Sequence, residues 1–117
     1  MFEEKRKSIR IKKPLAVQFG VRDGDSLVWD TSMINDISET GICLRTGTDM
    51  RPGDICTLKI RMPTRPQGVL EVNGKVISSA YTKQFHIRVE FLPLDEEQKS
   101  ALREYIAWAL VNERGGK

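Results

Sequence analysis

Short stretches in which apolar and polar residues alternate recur along most of this 117-residue chain. Alternation with a period of two indicates β-strands that bury one face, and the Asp-Gly and Pro-Gly pairs between the stretches indicate turns. Six short strands joined by turns predict an antiparallel barrel or sandwich rather than alternating β-α units. The six stretches are LAVQFGV (15–21), LVWDTSMINDIS (27–38), GICLRT (41–46), ICTLKIRM (55–62), VLEVNGKVISSAY (69–81) and FHIRVEF (85–91). Gly74, inside the fifth stretch, is expected to mark a bulge or a bend.

The pattern changes after Pro93, and residues 94–114 read as one helix. Asp95 is a suitable N-cap, and Gln98 follows three residues later as in a capping box. An apolar stripe runs along the helix at three- and four-residue spacing. Its members are Ala101, Leu102, Tyr105, Ile106 and Ala109. We therefore predict a mainly β protein in which residues 14–92 form the sheet, followed by a C-terminal helix, and the length suits one domain.

Positive charge is concentrated at the N-terminus. Residues 1–13 contain six basic and two acidic side chains, whereas the whole chain carries a net charge of +3. This segment is therefore predicted to be a flexible basic arm, and it contains two arginines four residues apart, Arg6 and Arg10. Such an arm attracts anions, which include nucleic acid, anionic lipid and phosphorylated small molecules.

Several classes of protein are disfavoured by the sequence. No apolar run approaches the roughly 20 residues of a membrane helix, and no secretory signal is present, so we expect a cytoplasmic protein without membrane insertion. His86 is the only histidine, and no catalytic triad, Walker loop or dinucleotide fingerprint accompanies it, so we expect no enzymatic activity. Cys43 and Cys56 lack neighbours at metal-ligand spacing. They are expected to be buried thiols, a disulfide between them being left open, and no metal or cofactor is expected.

The segment NDISETG places Asp36, Ser38 and Gly41 where one strand ends and the chain turns. In a plain turn, the Asp and Ser side chains bond nearby backbone N–H groups and the glycine takes a positive φ. In a ligand site, the carboxylate accepts hydrogen bonds from guanine N1–H and its exocyclic amine, and the glycine admits the ligand to the backbone. Arginines bind phosphate oxygens and the O6/N7 edge of guanine. Together, the two segments favour a guanine nucleotide with several phosphate charges.

An RxxxR motif near the start, a DxSxxG motif after a strand pair, and a small barrel with a C-terminal helix resemble the PilZ domain family. The resemblance covers roughly residues 4–112. It implies a six-stranded antiparallel split barrel and a bacterial receptor for the second messenger cyclic di-GMP. The binding residues that it implies are Arg6 and Arg10 for phosphates and guanine edges, Asp36 and Ser38 for guanine, and Gly41 for the turn.

Lys5 stands where the family often has a further arginine, which is associated with binding a stacked pair of ligands. Because lysine keeps the charge but lacks the planar fork of arginine, Lys5 joins the binding set and both stoichiometries, one and two ligand molecules, stay open. We expect a ligand-operated switch: binding folds the arm onto the barrel and changes the surface shown to an unidentified output protein. A monomer is favoured.

Two alternatives to this function come from the sequence. One is a PilZ-like protein-interaction module that binds no nucleotide, with the basic arm as a solvated segment. The other is a nucleic-acid-binding barrel. Aromatic residues make up only 7% of the chain and do not cluster on one strand as a stacking platform, which disfavours nucleic acid as a partner.

Overall fold

The structure is a computed structural model that describes residues 10–12, 14–23, 25–65 and 68–115. The described chain forms six strands and one helix, so the prediction of a mainly β protein with a C-terminal helix is confirmed. The strands are β1 (Leu15–Asp23), β2 (Ser26–Ile37), β3 (Gly41–Thr46), β4 (Ile55–Arg61), β5 (Val69–Thr82) and β6 (Gln84–Phe91), and the helix is α1 (Glu96–Gly115).

The six strands form a closed antiparallel barrel in the order β1-β2-β3-β6-β5-β4. Pairing between β1 and β4, in which Phe19 lies opposite Leu58, closes the ring. Of the two architectures that alternation predicts, the structure is therefore the barrel. Where the strands surround the core, alternate residues point inward, and Val17, Phe19, Leu58, Ile60 and Val72 are among the buried core residues. Because the ring is closed, each described strand pairs with two neighbours over part of its length, which limits the edge that could pair with another chain.

The helix α1 begins with the predicted capping box. The Gln98 N–H donates to the Asp95 carboxylate at 2.7 Å, and the Asp95 N–H donates to the Gln98 side-chain oxygen at 2.8 Å. The predicted apolar stripe is buried and joins the barrel core. Gln98 also donates to the Glu71 carbonyl on β5 at 2.8 Å, and Arg65 pairs with Glu104 at 3.4 Å, so polar contacts hold the helix against the barrel beside the apolar ones.

Of the two features expected at Gly74, a bulge or a bend, the bulge is not at this residue. Gly74 stays in regular register, opposite Cys56 on β4 and Phe91 on β6. A Cβ atom at this position would lie 2.4 Å from the Val89 Cγ1 atom, so close packing in the barrel excludes a side chain there. The bulge on β5 lies three residues later, between Val76 and Ser78, and a second bulge lies on β2.

The segment 1–13, predicted as a flexible arm, is described only at residues 10–12. Within it, Ile11 is fully buried and exchanges two backbone hydrogen bonds with Ile37 of β2, at 2.9 and 3.0 Å. Among the described residues of the segment, Ile11 therefore belongs to the barrel core. This anchor fixes the position of Arg10, which immediately precedes it.

Both cysteines are free thiols, so the disulfide left open by the sequence is not formed. Cys56 is buried, and burial followed by the nearby Asp54 carboxylate raises the pKa of its thiol to about 11. Along the described residues, no helix combines the length and apolar character needed to cross a membrane. That same part of the chain contains no group of three or more His, Cys, Asp or Glu side chains arranged to hold a metal ion.

Candidate functional site

Arg10 of the first motif and Asp36 of the second meet on the outer surface of the barrel. The Arg10 guanidinium lies 3.7 Å from the Asp36 carboxylate, measured from Nη1 to Oδ2. Ile11 holds Arg10 there: its bridge to Ile37 is antiparallel, so Arg10 lies opposite Ser38, and Asp36 is on the same face as Ser38 because the two are two residues apart. A guanidinium has five N–H donors, so the contact with Asp36 leaves donors free for a ligand. We call Arg10 and Asp36 the motif pair.

A bulge in β2 turns Asp36 toward this surface. Ile34 lies opposite Leu44 and Asp36 lies opposite Cys43, so Asn35 is an extra residue in the ladder. Strict alternation would give Asp36 the same inward direction as Ile34. The bulge resets the alternation, so Ile34 and Ile37 are both fully buried while the Asp36 side chain keeps 18% of its surface exposed. Bulges commonly re-aim side chains beside functional sites, and the sequence analysis did not predict this one.

Ser38 uses its hydroxyl group mainly to shape the turn between β2 and β3. Its backbone N–H donates to the Gly41 carbonyl at 2.9 Å, which closes the turn. The Ser38 Oγ atom accepts from the Thr40 N–H at 3.2 Å and lies 3.1 Å from the Thr40 hydroxyl. Ser38 is 7% exposed. Ser38 thus bonds a nearby backbone N–H group, as expected for a plain turn. It also lies on the surface beside the motif pair.

The prediction that Gly41 takes a positive φ is wrong. The positive-φ glycines among the described residues are Gly53 and Gly68. Gly41 is required for a different reason, since a Cβ atom there would lie 2.2 Å from the carbonyl oxygen of Val89 on β6. The glycine of the motif therefore permits two strands to approach closely just below the turn.

A concave pocket of about 90 Å³ lies between the motif residues and two further strands. Arg10, Asp36, Ser38 and Gly41 line it, so the structure brings together four of the predicted site residues. Arg6 and Lys5 lie outside the described residues, and their place in the site stays a prediction. Residues that the sequence analysis did not single out complete the lining, namely Thr40, Ile42, Cys43, Ile77, Arg88, Val89 and Glu90.

Charges of both signs surround Cys43 at the centre of this surface. The pKa of its thiol is raised above the ordinary value of 9.0, first by burial and then by the Asp36 carboxylate. Arg88, Arg10 and Arg45 act in the opposite direction. Cys43 therefore senses the field of both arginines that line the pocket, and its thiol stays protonated at neutral pH.

The comparisons with known proteins point to one family. The sequence model described as PilZ domain matches residues 4–108. No curated protein matches the chain. Among solved structures, the PilZ domain of Escherichia coli YcgR with cyclic di-GMP is 16% identical, with a TM-score of 0.72, and the match covers 97% of this chain and 98% of that one.

Two longer proteins have the same fold over part of their length. The Bacillus subtilis inhibitor of motility, MotI/DgrA, is 19% identical with a TM-score of 0.75, over 94% of this chain and 53% of that one. The Klebsiella pneumoniae MrkH complex with cyclic di-GMP is 13% identical with a TM-score of 0.75, over 96% and 55%. The chain thus spans about half the length of these two proteins, and at such identities the likeness concerns the fold.

Proposed function

Because the chain belongs to the PilZ domain family, we propose that it binds cyclic di-GMP at the pocket formed by its two motifs and signals ligand occupancy to a partner protein. Two of the similar folds, the YcgR PilZ domain and MrkH, are structures with this ligand. The proposed activity is that of a cytoplasmic receptor, with no catalytic step and no resident cofactor.

The observation that carries the proposal is the motif pair itself. Arg10 and Asp36 are 26 residues apart in sequence yet lie in contact on one surface, with Ser38 and Gly41 beside them. A guanidinium next to a carboxylate matches guanine, because the guanidinium donates to O6 and N7 while the carboxylate accepts from N1–H and the exocyclic amine. The same guanidinium can bind phosphate oxygens.

The described residues supply only part of a binding site. A pocket of about 90 Å³ is smaller than the roughly 300–1,000 Å³ typical of ligand pockets, so it suits one base edge. We assign further contacts to the residues that precede Arg10, with Arg6 one RxxxR spacing away and Lys5 beside it. Their charges would neutralise the phosphates, and the stoichiometry would follow from how Lys5 takes part.

Communication with a partner is proposed to run through the turn of the DxSxxG motif. Glu39, inside that turn, pairs with Arg103 of α1 at 3.8 Å, and the Thr40 carbonyl accepts from the Phe91 N–H at 2.8 Å. Ligand contact with Asp36 or Ser38 therefore acts on a segment that also touches the helix. Trp108 on the same helix is 39% exposed and is a candidate contact for an output protein.

The test is calorimetric titration of the protein with cyclic di-GMP. A micromolar complex corresponds to about −8 kcal/mol. Removing one charged contact costs about 2–5 kcal/mol when the partner group is left unpaired, so Arg10→Ala should weaken binding at least about tenfold. Arg61→Ala, which removes an exposed arginine from β4 outside the pocket, is the matched control and should bind as the wild type does.

Two results would reject the proposal. Failure of the wild-type protein to bind across the micromolar range would leave a PilZ fold that acts through protein contacts alone. Binding that is equally strong in Arg10→Ala and Arg61→Ala would mean that the ligand sits elsewhere on the molecule.

A further inference from the structure

One arginine of the pocket belongs to neither motif. Arg88 lies on β6, where it is the register partner of Cys43, and Cys43 is in turn the partner of Asp36. The three residues therefore form one row across three neighbouring strands. Since strands lie about 4.8 Å apart, the Cα atoms of Asp36 and Arg88 are about 10 Å apart, a separation that a purine base can span.

Arg88 is exposed, and its side chain has no hydrogen bond or ion pair with any other described residue. Its nearest functional neighbour on the strand is Glu90, which points to the same face because it is two residues away. Glu90 also lines the pocket and also makes no ion pair within the described chain, although Lys75 lies opposite it on β5. Arg88 lines the pocket beside Glu90, so the two side chains belong to the same wall.

The charges of the described pocket lining balance. One wall carries the guanidinium of Arg10 and the carboxylate of Asp36. The other wall carries the guanidinium of Arg88 and the carboxylate of Glu90. A phosphate beside Glu90 would be repelled by its carboxylate. A guanine edge suits such a wall better, because it presents acceptors at O6 and N7 and donors at N1 and the exocyclic amine.

We propose that Arg88 and Glu90 form a second guanine-reading pair, which contacts a base of the bound nucleotide from the wall opposite the motif pair. We call these two residues the β6 pair. The inference rests on the proposed function, and it gives both walls of the pocket groups that match the edges of a guanine base. The bulge of β5 supports this arrangement, since it places the apolar side chain of Ile77, 48% exposed, at the same pocket.

The experiment compares cyclic di-GMP affinities of single variants by calorimetry at one ionic strength. Arg88→Ala should raise the Kd about tenfold or more, because a hydrogen bond to a charged group is lost. Arg45→Ala is the matched control, since Arg45 is an exposed arginine on the neighbouring strand β3, close enough to act on Cys43 but outside the pocket lining. Its Kd should change by less than about threefold.

Glu90→Gln provides a test whose sign decides the question. If the carboxylate accepts hydrogen bonds from guanine, the amide presents one acceptor and two donors instead, and the Kd should rise several-fold. If a phosphate lies there, removal of the negative charge should lower the Kd, which would overturn the inference. Glu71→Gln, on β5 outside this pocket, is the control for the loss of one carboxylate.

The outcomes separate the inference from the proposed function. Wild-type binding that is lost in Arg10→Ala but unchanged in Arg88→Ala would refute the β6 pair and leave the receptor intact. If Arg88→Ala and Arg45→Ala weaken cyclic di-GMP binding equally, Arg88 acts only by long-range charge attraction. That result would also refute the β6 pair. No binding by the wild type would remove both proposals. Thermal unfolding of each variant without ligand checks the fold. The unfolding temperature should not change, because the Arg88 and Glu90 side chains make no hydrogen bond or ion pair within the described chain.

Discussion

Replacement of Gly41 by alanine should destabilise the barrel at the point where the motif turn joins it. The new Cβ atom would lie 2.2 Å from the Val89 carbonyl oxygen and 3.1 Å from the Glu90 Cα atom, and both are backbone atoms that cannot rotate away. Relief of this contact requires β3 and β6 to separate locally by about 1 Å. A hydrogen bond stretched from about 2.9 Å by that amount exceeds 3.5 Å and is lost.

The size of the effect follows from two contributions. One or two lost hydrogen bonds cost about 0.5–1.5 kcal/mol each, and overpacking of a tightly packed site costs about 1–3 kcal/mol. We therefore expect Gly41→Ala to lower the free energy of unfolding by about 2–4 kcal/mol, a large part of the about 5–15 kcal/mol typical of a domain. Urea denaturation of the free protein measures this quantity directly.

Gly47→Ala is the matched control. Gly47 follows the other end of β3, nothing outside its chain neighbours lies within 4 Å of its added Cβ, and it is not among the positive-φ glycines of the described chain. This variant should change the free energy of unfolding by less than about 1 kcal/mol, with stabilisation expected because alanine restricts the unfolded chain. If the two variants unfold at the same urea concentration, the close approach of β3 to β6 does not constrain residue 41, and the role assigned to Gly41 is wrong.

Two further predictions concern titratable groups. The pKa of Asp30 is lowered from 3.8, first by the hydrogen bond that the Thr48 hydroxyl donates to its carboxylate. The ionised carboxylate therefore stabilises the folded state. This contribution is complete above pH 3.8 and is lost as the pH falls through the lowered pKa. Thr48→Ala should therefore destabilise the protein more at pH 7 than at pH 2–3 in urea unfolding, and an equal loss at both would contradict the assignment. Because Cys43 lines the pocket, cyclic di-GMP should slow its alkylation by iodoacetamide in a Cys56→Ala background, whereas undiminished alkylation at saturating ligand would place the ligand elsewhere.

The strands and the helix were predictable because their signals are local. In FHIRVEF, alternation alone assigns Ile87 and Val89 to the interior, and both are buried. The turn at Arg51–Asp54 follows from Pro-Gly chemistry, and the structure shows the Asp54 N–H bonded to the Arg51 carbonyl at 2.9 Å with Gly53 at φ 98°. In each case, residues within a few positions of one another determine the conformation.

The bulges were not predictable for the opposite reason. A bulge is defined by how two strands are paired, and the register of β5 against β6 depends on barrel closure rather than on the sequence of either strand. A glycine inside a strand is therefore no reliable sign of a bulge. Gly74 makes room for the Val89 side chain, whereas the bulge of β5 lies between Val76 and Ser78. The same limit applied to Gly41, whose constraint comes from a strand 48 residues later in the chain.

The residues of the candidate site also differ in whether the sequence alone could predict them. The residues of the two motifs could be named from the sequence, and Arg10, Asp36, Ser38 and Gly41 come together around one pocket. Arg88 and Glu90 could not be predicted as site residues. In the sequence they are outward-facing polar residues of an alternating strand, as His86 is. What sets them apart is that β6 lies next to β3, so that Arg88 falls in the row of Asp36 and Cys43. If the chain binds cyclic di-GMP as proposed, part of its specificity resides in strand order, and substitution of Arg88, which belongs to no motif, is the test.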